Sequence, residues 1–169
     1  YQDVDGRYLG MDKQVHQAQP GYVNYSVFSL WDTFRAFHPL MTLIQPKMAT
    51  AWGKTLVQGY HEGGILPKWP LASSYTGCMV GYPATSVLAD LICKNLAEGD
   101  MAEWAEAAER SSVYREDLAE KFKGTRELDL ITRHPYYKEK YGFVPADSLP
   151  ESVSWGLEMA YFDWCVAQI

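Results

Sequence analysis

The feature that most constrains the fold is a series of segments in which less polar residues recur at helical spacing. The clearest segment is 47–62, where such residues fall on one helical face. They are Met48, Ala51, Trp52, Thr55, Leu56 and Gly59. Gly63-Gly64 follows at once, and glycine often closes a helix in a left-handed conformation. The segment therefore predicts an amphipathic helix that ends at the glycine pair.

The segment before it, residues 25–45, is nearly all apolar. We expect a helix there, with Ser26 or Ser29 as its cap. A break is expected at His38-Pro39, because the residue before a proline avoids the helical region. Pro39 can then open a second helix in its first turn.

Later segments continue the helical pattern. Helices are predicted over residues 84–96, 101–113, 117–122 and 151–169, with Asp100 and Ser152 as candidate caps. Residues 1–24 are interpreted as one or two short strands or an ordered loop, and 65–83 and 124–150 as irregular connections. Apolar helices alternate with amphipathic ones, which favours layered helical hairpins over a four-helix bundle.

The charge and hydropathy of the chain exclude two classes of function. Its 169 residues carry a net charge of −6 without a basic stripe, so we expect no nucleic acid among its partners. No run of 18 or more apolar residues occurs, so we predict no membrane span. The sequence begins without Met and ends inside a predicted helix, and we therefore expect a piece of a longer chain.

Familiar metal and nucleophile motifs are absent from the sequence. Cys78, Cys93 and Cys165 are widely spaced without a CxxC pair, which leaves open three buried thiols or one disulfide with one thiol. His38 and His61 are isolated, and the sequences GxSxG, HExxH and the EF-hand loop do not occur. We therefore assign no metal ligand and no catalytic nucleophile here.

Trp31-Asp32 is the first candidate site. A carboxylate inside an apolar helix costs helix propensity and desolvation free energy, so Asp32 needs a reason to be there. Arg35, three residues on, is expected to pair with Asp32 on the same helical face. Two interpretations stay open: a structural ion pair, or a pocket rim where Asp32 accepts hydrogen bonds from sugar hydroxyls with Trp31 beside it.

Glu158 is the second candidate. It lies among apolar and aromatic residues in SWGLEMAYFDW, where an unpaired carboxylate would be costly. A structural or supporting role and a general-acid role are both open. Asp163 is five residues further and falls on a different helical face, so the two carboxylates do not form a catalytic pair on one helix.

Four stretches of the chain together resemble the catalytic domain of glycoside hydrolase family 92, the calcium-dependent exo-acting α-mannosidases. They are DVDGRYLGMD (3–12), YSVFSLWDTFRAFHPLMTLIQP (25–46), GGILPKWPLASSYTGCMVGYPATSVLAD (63–90) and GFVPADSLPESVSWGLEMAYFDWCVAQ (142–168). They follow the family's order and span nearly the whole chain.

The resemblance implies a mainly α fold. Residues 1–169 would form a single partial domain, roughly the first half of an (α/α)6 toroid, with a short N-terminal strand or loop region. The partners implied are the rest of the same enzyme, namely a β-sandwich domain and the second half of the toroid. A secreted or periplasmic location is implied only at the level of the family.

The implied activity is hydrolysis of terminal α-linked mannose from glycans such as N-glycans, with inversion at the anomeric carbon and with calcium as cofactor. Trp31 and Asp32 match the family's substrate-binding WD element, and Arg35 and Glu158 are expected to support it. The acid, the base and the calcium ligands are expected beyond Ile169. Relatives often carry Asp at the position of Phe162, which weakens any paired-carboxylate site on this helix.

Two rival interpretations stay open. One is another (α/α)6 glycosidase or lyase with a different substrate. The other is a non-catalytic helical carbohydrate-binding module in which Asp32 is structural.

Overall fold

Helices dominate the structure, a computed structural model that describes residues 2–125, 128 and 134–169. The helices are α1 (Leu30–Thr33), α2 (Phe37–Ile44), α3 (Pro46–Gly63), α4 (Ala84–Cys93), α5 (Met101–Ser112), α6 (Glu116–Lys121), α7 (His134–Tyr141) and α8 (Ser152–Val166). The strands are β1 (Arg7–Leu9), β2 (Val15–Gln17), β3 (Pro70–Leu71) and β4 (Ser74–Tyr75).

The long helix α3 forms where its periodicity predicts it. Pro46 occupies the first turn, where no backbone donor is needed. At the other end Gly64 adopts a left-handed φ of 91°, and its N–H donates to the Tyr60 carbonyl at 2.7 Å. The predicted glycine end is therefore confirmed. Asp100 also caps α5 as predicted, since its side chain accepts from the N–H of Ala102 at 2.9 Å.

The N-terminal strands form an antiparallel hairpin in which Tyr8 faces His16. Glu62 of α3 anchors this hairpin. One carboxylate oxygen accepts from the Tyr8 hydroxyl at 2.8 Å and from Gln58 at 2.9 Å, and the other accepts from the Met11 N–H at 2.9 Å. The expectation of strands at the N-terminus is thus confirmed, and the hairpin is fixed to the helical body by one half-buried carboxylate.

The predicted break at His38-Pro39 is wrong in position. The chain leaves the helical path earlier, and Ala36 precedes α2 with a φ of −142°. His38 therefore lies inside α2, and Pro39 is the third residue of that helix. Proline is tolerated there because the first-turn N–H groups have no partner within the helix.

Two segments expected to be irregular contain regular elements. Strands β3 and β4 pair as a second antiparallel hairpin within residues 65–83. Helix α7 lies within residues 124–150, with Pro135 in its first turn. Residues 126, 127 and 129–133 of that connection lie outside the described residues.

The main core is formed between α3, α4, α5 and α8, with α1 packed on it. Leu30, Leu56, Leu88 and Phe162 have at most 1% of their surface exposed. A smaller cluster of Ile65, Tyr75, Leu118 and Phe122 joins the second hairpin to α6. Phe162 is thus a core residue, which explains why this helix carries an aromatic side chain there rather than a second carboxylate.

The cysteines differ from both expectations. Cys78 and Cys93 are exposed, only Cys165 is buried, and all three thiols are free. Burial raises the pKa of the Cys165 thiol. Within the described residues, no helix combines the length and apolar character needed to cross a bilayer.

Candidate functional site

The short helix α1 is held by its first residue. Leu30 is fully buried, and its N–H donates to the carbonyl of Lys68 at 3.1 Å. Lys68 is itself buried, and its ammonium donates to the carbonyl of Met79 at 3.0 Å. These contacts tie α1 to the 65–83 segment and fix the two residues that follow Leu30.

Trp31 and Asp32 are presented differently by α1. Trp31 is half-buried, whereas Asp32 is exposed and accepts a hydrogen bond from the Ser29 hydroxyl. The helix spans only four residues, so Asp32 does not lie in the middle of an apolar helix as expected. Its side chain is exposed, so the desolvation cost that drew attention to it does not arise.

The expected Arg35–Asp32 pair is wrong. The guanidinium of Arg35 instead donates to Glu158 Oε1 of α8 at 3.0 Å. The i, i+3 spacing brings side chains together only on a continuous helix, and α1 ends at Thr33 before Arg35 is reached. Glu158 was predicted to need a partner, and Arg35 is that partner.

Arg35 and Glu158 line a cleft of about 440 Å³ between α1 and α8. The α1 side contributes Trp31, Phe34 and Arg35, and the α8 side contributes Leu157, Glu158 and Tyr161. Partial burial raises the pKa of the Tyr161 phenol. The volume of the cleft falls in the range of small-molecule sites. Its combination of aromatic faces with one ion pair is also typical of such sites. Asp32 is not among the lining residues.

Arg35 is also packed between two aromatic rings. Its guanidinium carbon lies 4.9 Å from the centroid of Trp31 and 4.8 Å from that of Phe34. Phe34 in turn stacks on Tyr161 with centroids 5.5 Å apart. The cleft therefore has a preorganised aromatic wall, with the cation held against it.

A second polar cluster lies on another face of α8. Asp163 accepts from the Tyr82 hydroxyl and from the Lys138 ammonium, the latter at 2.7 Å. The pKa of Tyr82 is raised, mainly because the phenol is buried and to a lesser extent because it donates to Asp163. Glu158 and Asp163 thus serve different partners, as their five-residue spacing predicts.

Sequence reasoning missed Lys68 and Lys138. The signal for Lys68 was its position in the apolar motif LPKWPL, where a charge needs a partner. Lys138 gave no local signal, because its partner Asp163 lies 25 residues away.

The acidic residues near the N-terminus are engaged in local pairs. Asp5 binds Arg7 at 2.7 Å, and this pairing with backbone and side-chain donors lowers the Asp5 pKa. Asp12 lies 3.0 Å from His16. Across the described part of the chain, no group of three or more His, Cys, Asp or Glu residues is placed to hold a metal ion.

Comparisons with known proteins place this geometry in a family. The family model described as "Glycosyl hydrolase family 92 catalytic domain" matches residues 1–169. Among solved structures, the α-mannosidase BT3965 from Bacteroides thetaiotaomicron shares 36% identity over 99% of this chain, with a TM-score of 0.80. The match covers 21% of that enzyme's chain. Curated protein sequences give no significant match.

Two further solved structures agree. The same enzyme in complex with mannoimidazole gives a TM-score of 0.80 at 36% identity, over 99% of this chain and 20% of that one. The inverting mannosidase BT2199 from Bacteroides thetaiotaomicron VPI-5482 gives 0.77 at 30% identity, over 95% and 20%. The chain spans about a fifth of the length of these relatives.

The likeness extends over nearly the whole chain and is carried by sequence and structure together. The predicted mainly α fold, as part of a toroid-like glycosidase domain, is confirmed, and so is the family resemblance. The interpretation as a different glycosidase or lyase family is not supported. The chain belongs to glycosyl hydrolase family 92, which includes the α-mannosidase BT3965 and the inverting mannosidase BT2199.

Proposed function

We propose that this chain is part of an exo-acting α-mannosidase that releases terminal α-linked mannose from glycans with inversion at the anomeric carbon. In this proposal Asp32 accepts hydrogen bonds from the hydroxyls of the terminal mannose. One observation of the structure carries it: the Asp32 carboxylate is exposed next to Trp31, which lines the aromatic cleft. Family membership supplies the reaction class.

Inverting hydrolysis sets a requirement that the cleft by itself does not meet. It needs a carboxylic acid on the leaving oxygen and a carboxylate that activates water, roughly 6.5–9.5 Å apart. Among the described residues, Glu158 is the one carboxylate that lines the cleft, and it is tied to Arg35. We therefore propose that the acid and the base are supplied by other parts of the whole enzyme.

Calcium is part of the proposal at the level of the whole enzyme. Calcium prefers six to eight oxygen ligands, and the described residues hold no acidic cluster that fits this requirement. We propose that its ligands lie outside the residues described here. No role in calcium binding is assigned to Asp32 or Glu158.

The surface of α8 supports a partner within the same enzyme. Val153, Leu157, Tyr161 and Trp164 are exposed and follow one another at intervals of four, four and three residues. This spacing makes one continuous apolar stripe on the helix, and such stripes are usually covered. We propose that other helices of the catalytic domain pack on this stripe and close the open side of the cleft.

The test is hydrolysis of a chromogenic α-mannoside by the whole enzyme, with and without a calcium chelator. We expect mannose release that the chelator abolishes and that added calcium restores. Proton NMR of the first product should show β-mannose, because inversion changes the anomeric configuration. Absence of mannose release, or α-mannose as the first product, would contradict the proposal.

A further inference from the structure

Met79 has a backbone conformation that its own side chain disfavours. Its φ is +74°, in the left-handed region, where a residue with a β-carbon is less stable than in its ordinary conformations. Gly77 and Gly81 in the same loop (residues 76–81, the Met79 loop) have φ values of 67° and 66°, which glycine adopts without strain. Strain of this kind persists only where surrounding contacts hold it, and it clusters at functional sites. A contact from elsewhere in the chain is therefore expected at Met79.

The ammonium group of Lys68 supplies that contact. It donates to the Met79 carbonyl at 3.0 Å and lies 5.8 Å from the ring centroid of Trp155 on α8. Lys68 has only 7% of its surface exposed, so water does not readily replace an acceptor that the ammonium loses. Relaxation of Met79 would turn its carbonyl away from this buried cation. The ammonium therefore opposes that relaxation.

The main chain of Lys68 holds α1. Its carbonyl accepts from the N–H of Leu30, the first residue of that helix. With four residues, α1 is too short to be stable on its own, so its position depends on tertiary contacts of this kind. Trp31 and Asp32 follow Leu30 directly. Lys68 thus joins the helix that carries the candidate site to the Met79 loop.

The Met79 loop and α1 also meet directly. Val80, the residue after Met79, lines the same cleft as Trp31. Gly81 lies against a buried aromatic ring of α8, which limits how closely the loop can approach that helix. The loop is thus fixed by packing at Gly81 and by the ammonium at Met79. A change in the conformation of Met79 would shift Val80 relative to Trp31.

We propose that Lys68 is a positioning residue for the mannose site: its ammonium keeps the Met79 loop in the conformation that places α1, and with it Asp32, for binding. The inference rests on the proposed function, in which Asp32 accepts hydrogen bonds from the terminal mannose, and it adds the residue that holds Asp32 indirectly. Without the ammonium, Met79 relaxes out of the left-handed region. The fraction of folded enzyme with a correctly placed site then falls.

The competing explanation is that the Lys68 ammonium serves only the stability of the fold. In that case its loss lowers the free energy of unfolding, but the molecules that remain folded turn over as the wild type does. Loss of a positioning residue makes the folded molecules themselves less active. That defect should respond to Met79→Gly, because glycine adopts a positive φ about as readily as a negative one.

The experiment is a double-mutant cycle in the whole enzyme. It measures kcat/KM for 4-nitrophenyl α-mannoside per folded molecule, with the folded fraction taken from urea denaturation. Lys68→Met removes the ammonium at similar side-chain length, and Met79→Gly removes the β-carbon that disfavours the left-handed conformation.

The two single variants and the double variant should differ in a defined order. We expect Lys68→Met to lower kcat/KM by about 10-fold or more, and Met79→Gly alone to change it by less than about 2-fold. The double variant should recover about 5-fold or more relative to Lys68→Met, since a β-carbon disfavours the left-handed conformation by at least about that factor.

The matched control is Ala72→Gly in the Lys68→Met background. Ala72 is another left-handed residue of the 65–83 segment, with a φ of 49°, and its carbonyl accepts from the Ser74 hydroxyl at 3.4 Å. It should give no recovery. If Lys68→Met does not fold, the same cycle is run with Lys68→Gln, which keeps a neutral N–H donor of shorter reach.

Three results would overturn the positioning role while leaving the proposed function intact. They are an unchanged kcat/KM per folded molecule after loss of the Lys68 ammonium, no recovery in the double variant, and equal recovery from Ala72→Gly. A wild-type enzyme that releases no mannose would overturn both proposals.

Discussion

Gly81 lies directly against the ring of Phe162, so that a β-carbon at Gly81 would fall 2.3 Å from Phe162 Cε2. Gly81 follows Val80, which lines the cleft, and Phe162 is a fully buried residue of α8. Phe162 also packs against Phe34, with ring centroids 5.3 Å apart. The glycine therefore sets how closely the 65–83 segment approaches α8 beneath the candidate site.

Replacing this glycine should unfold or strongly destabilise the protein. In Gly81→Ala the new methyl group meets the buried ring, and the φ of +66° is unfavourable for alanine. We expect the free energy of unfolding to fall by about 3 kcal/mol or more. Urea denaturation of the whole enzyme measures this change.

The control for Gly81 is Gly21→Ala. Gly21 has a comparable φ of +81°, but no atom lies within 4 Å of its added β-carbon. We expect a loss of about 1 kcal/mol from backbone strain alone. Similar losses at both positions would mean that Phe162 adjusts and that the close approach is unimportant.

Asp32 should matter for turnover and little for the fold. Its carboxylate is exposed and contacts the Ser29 hydroxyl, so Asp32→Asn should change the free energy of unfolding by at most about 1 kcal/mol. If it binds mannose hydroxyls, kcat/KM for an α-mannoside should fall by at least about 10-fold. Steady-state kinetics and thermal melting are measured together.

Asp147→Asn provides the comparison for Asp32, because Asp147 is also an exposed aspartate that accepts from a neighbouring serine, Ser148. It should affect neither stability nor turnover. If Asp32→Asn melts far below the wild type while its folded fraction turns over normally, the role of Asp32 is structural.

His38 should make the stability of the protein depend on pH. It is buried among the rings of Phe28, Phe37 and Trp52, and burial lowers its pKa to about 4, with the charge of Asp90 opposing the shift. Its Nε2 has no partner within the described residues. The imidazole is therefore held neutral in the folded state.

The direction of the pH dependence follows from where the proton binds. The unfolded chain takes up a proton near pH 6.5, whereas the folded His38 does so only near pH 4. The contribution of the neutral His38 to the free energy of unfolding is complete above pH 6.5. It is lost as the pH falls towards 4, by about 3 kcal/mol in total.

Replacing His38 isolates this contribution from the titration of carboxylates. His38→Phe has no ionisable group, so the difference in unfolding free energy between it and the wild type should change across pH 4 to 6.5 and be constant above. Chemical denaturation at a series of pH values gives that difference. A difference that is constant over the whole range would show that His38 is protonated without penalty.

The apolar stripe of α8 should cause association of residues 1–169 produced alone, because no other part of the enzyme covers it there. Sedimentation velocity should detect oligomers that the double substitution Val153→Gln, Leu157→Gln reduces. The control pair, Val4→Gln and Val15→Gln, removes exposed apolar side chains from the N-terminal hairpin region and should have no such effect. A wild-type chain that stays monomeric would argue against a covered stripe.

The interactions that the sequence predicts well are local ones. The extent of α3, its glycine end at Gly64 and the Asp100 cap of α5 depend on residues no more than four positions apart. Periodicity and capping rules describe contacts at that range. The break before α2 was misplaced because the proline rule allows Pro39 inside a first turn and says nothing about where the preceding helix stops.

The sequence by itself determined the mainly helical fold and the family, because these depend on local pattern and on motifs in a fixed order. Only the tertiary structure decided that Arg35 pairs with Glu158, which lies 123 residues away, and not with its neighbour Asp32. It also decided that Phe162 belongs to the core and that Asp32 faces solvent. The physical reason is that a side chain's partner and burial are set by which helices pack together, and the chain positions nearest to a residue do not encode that.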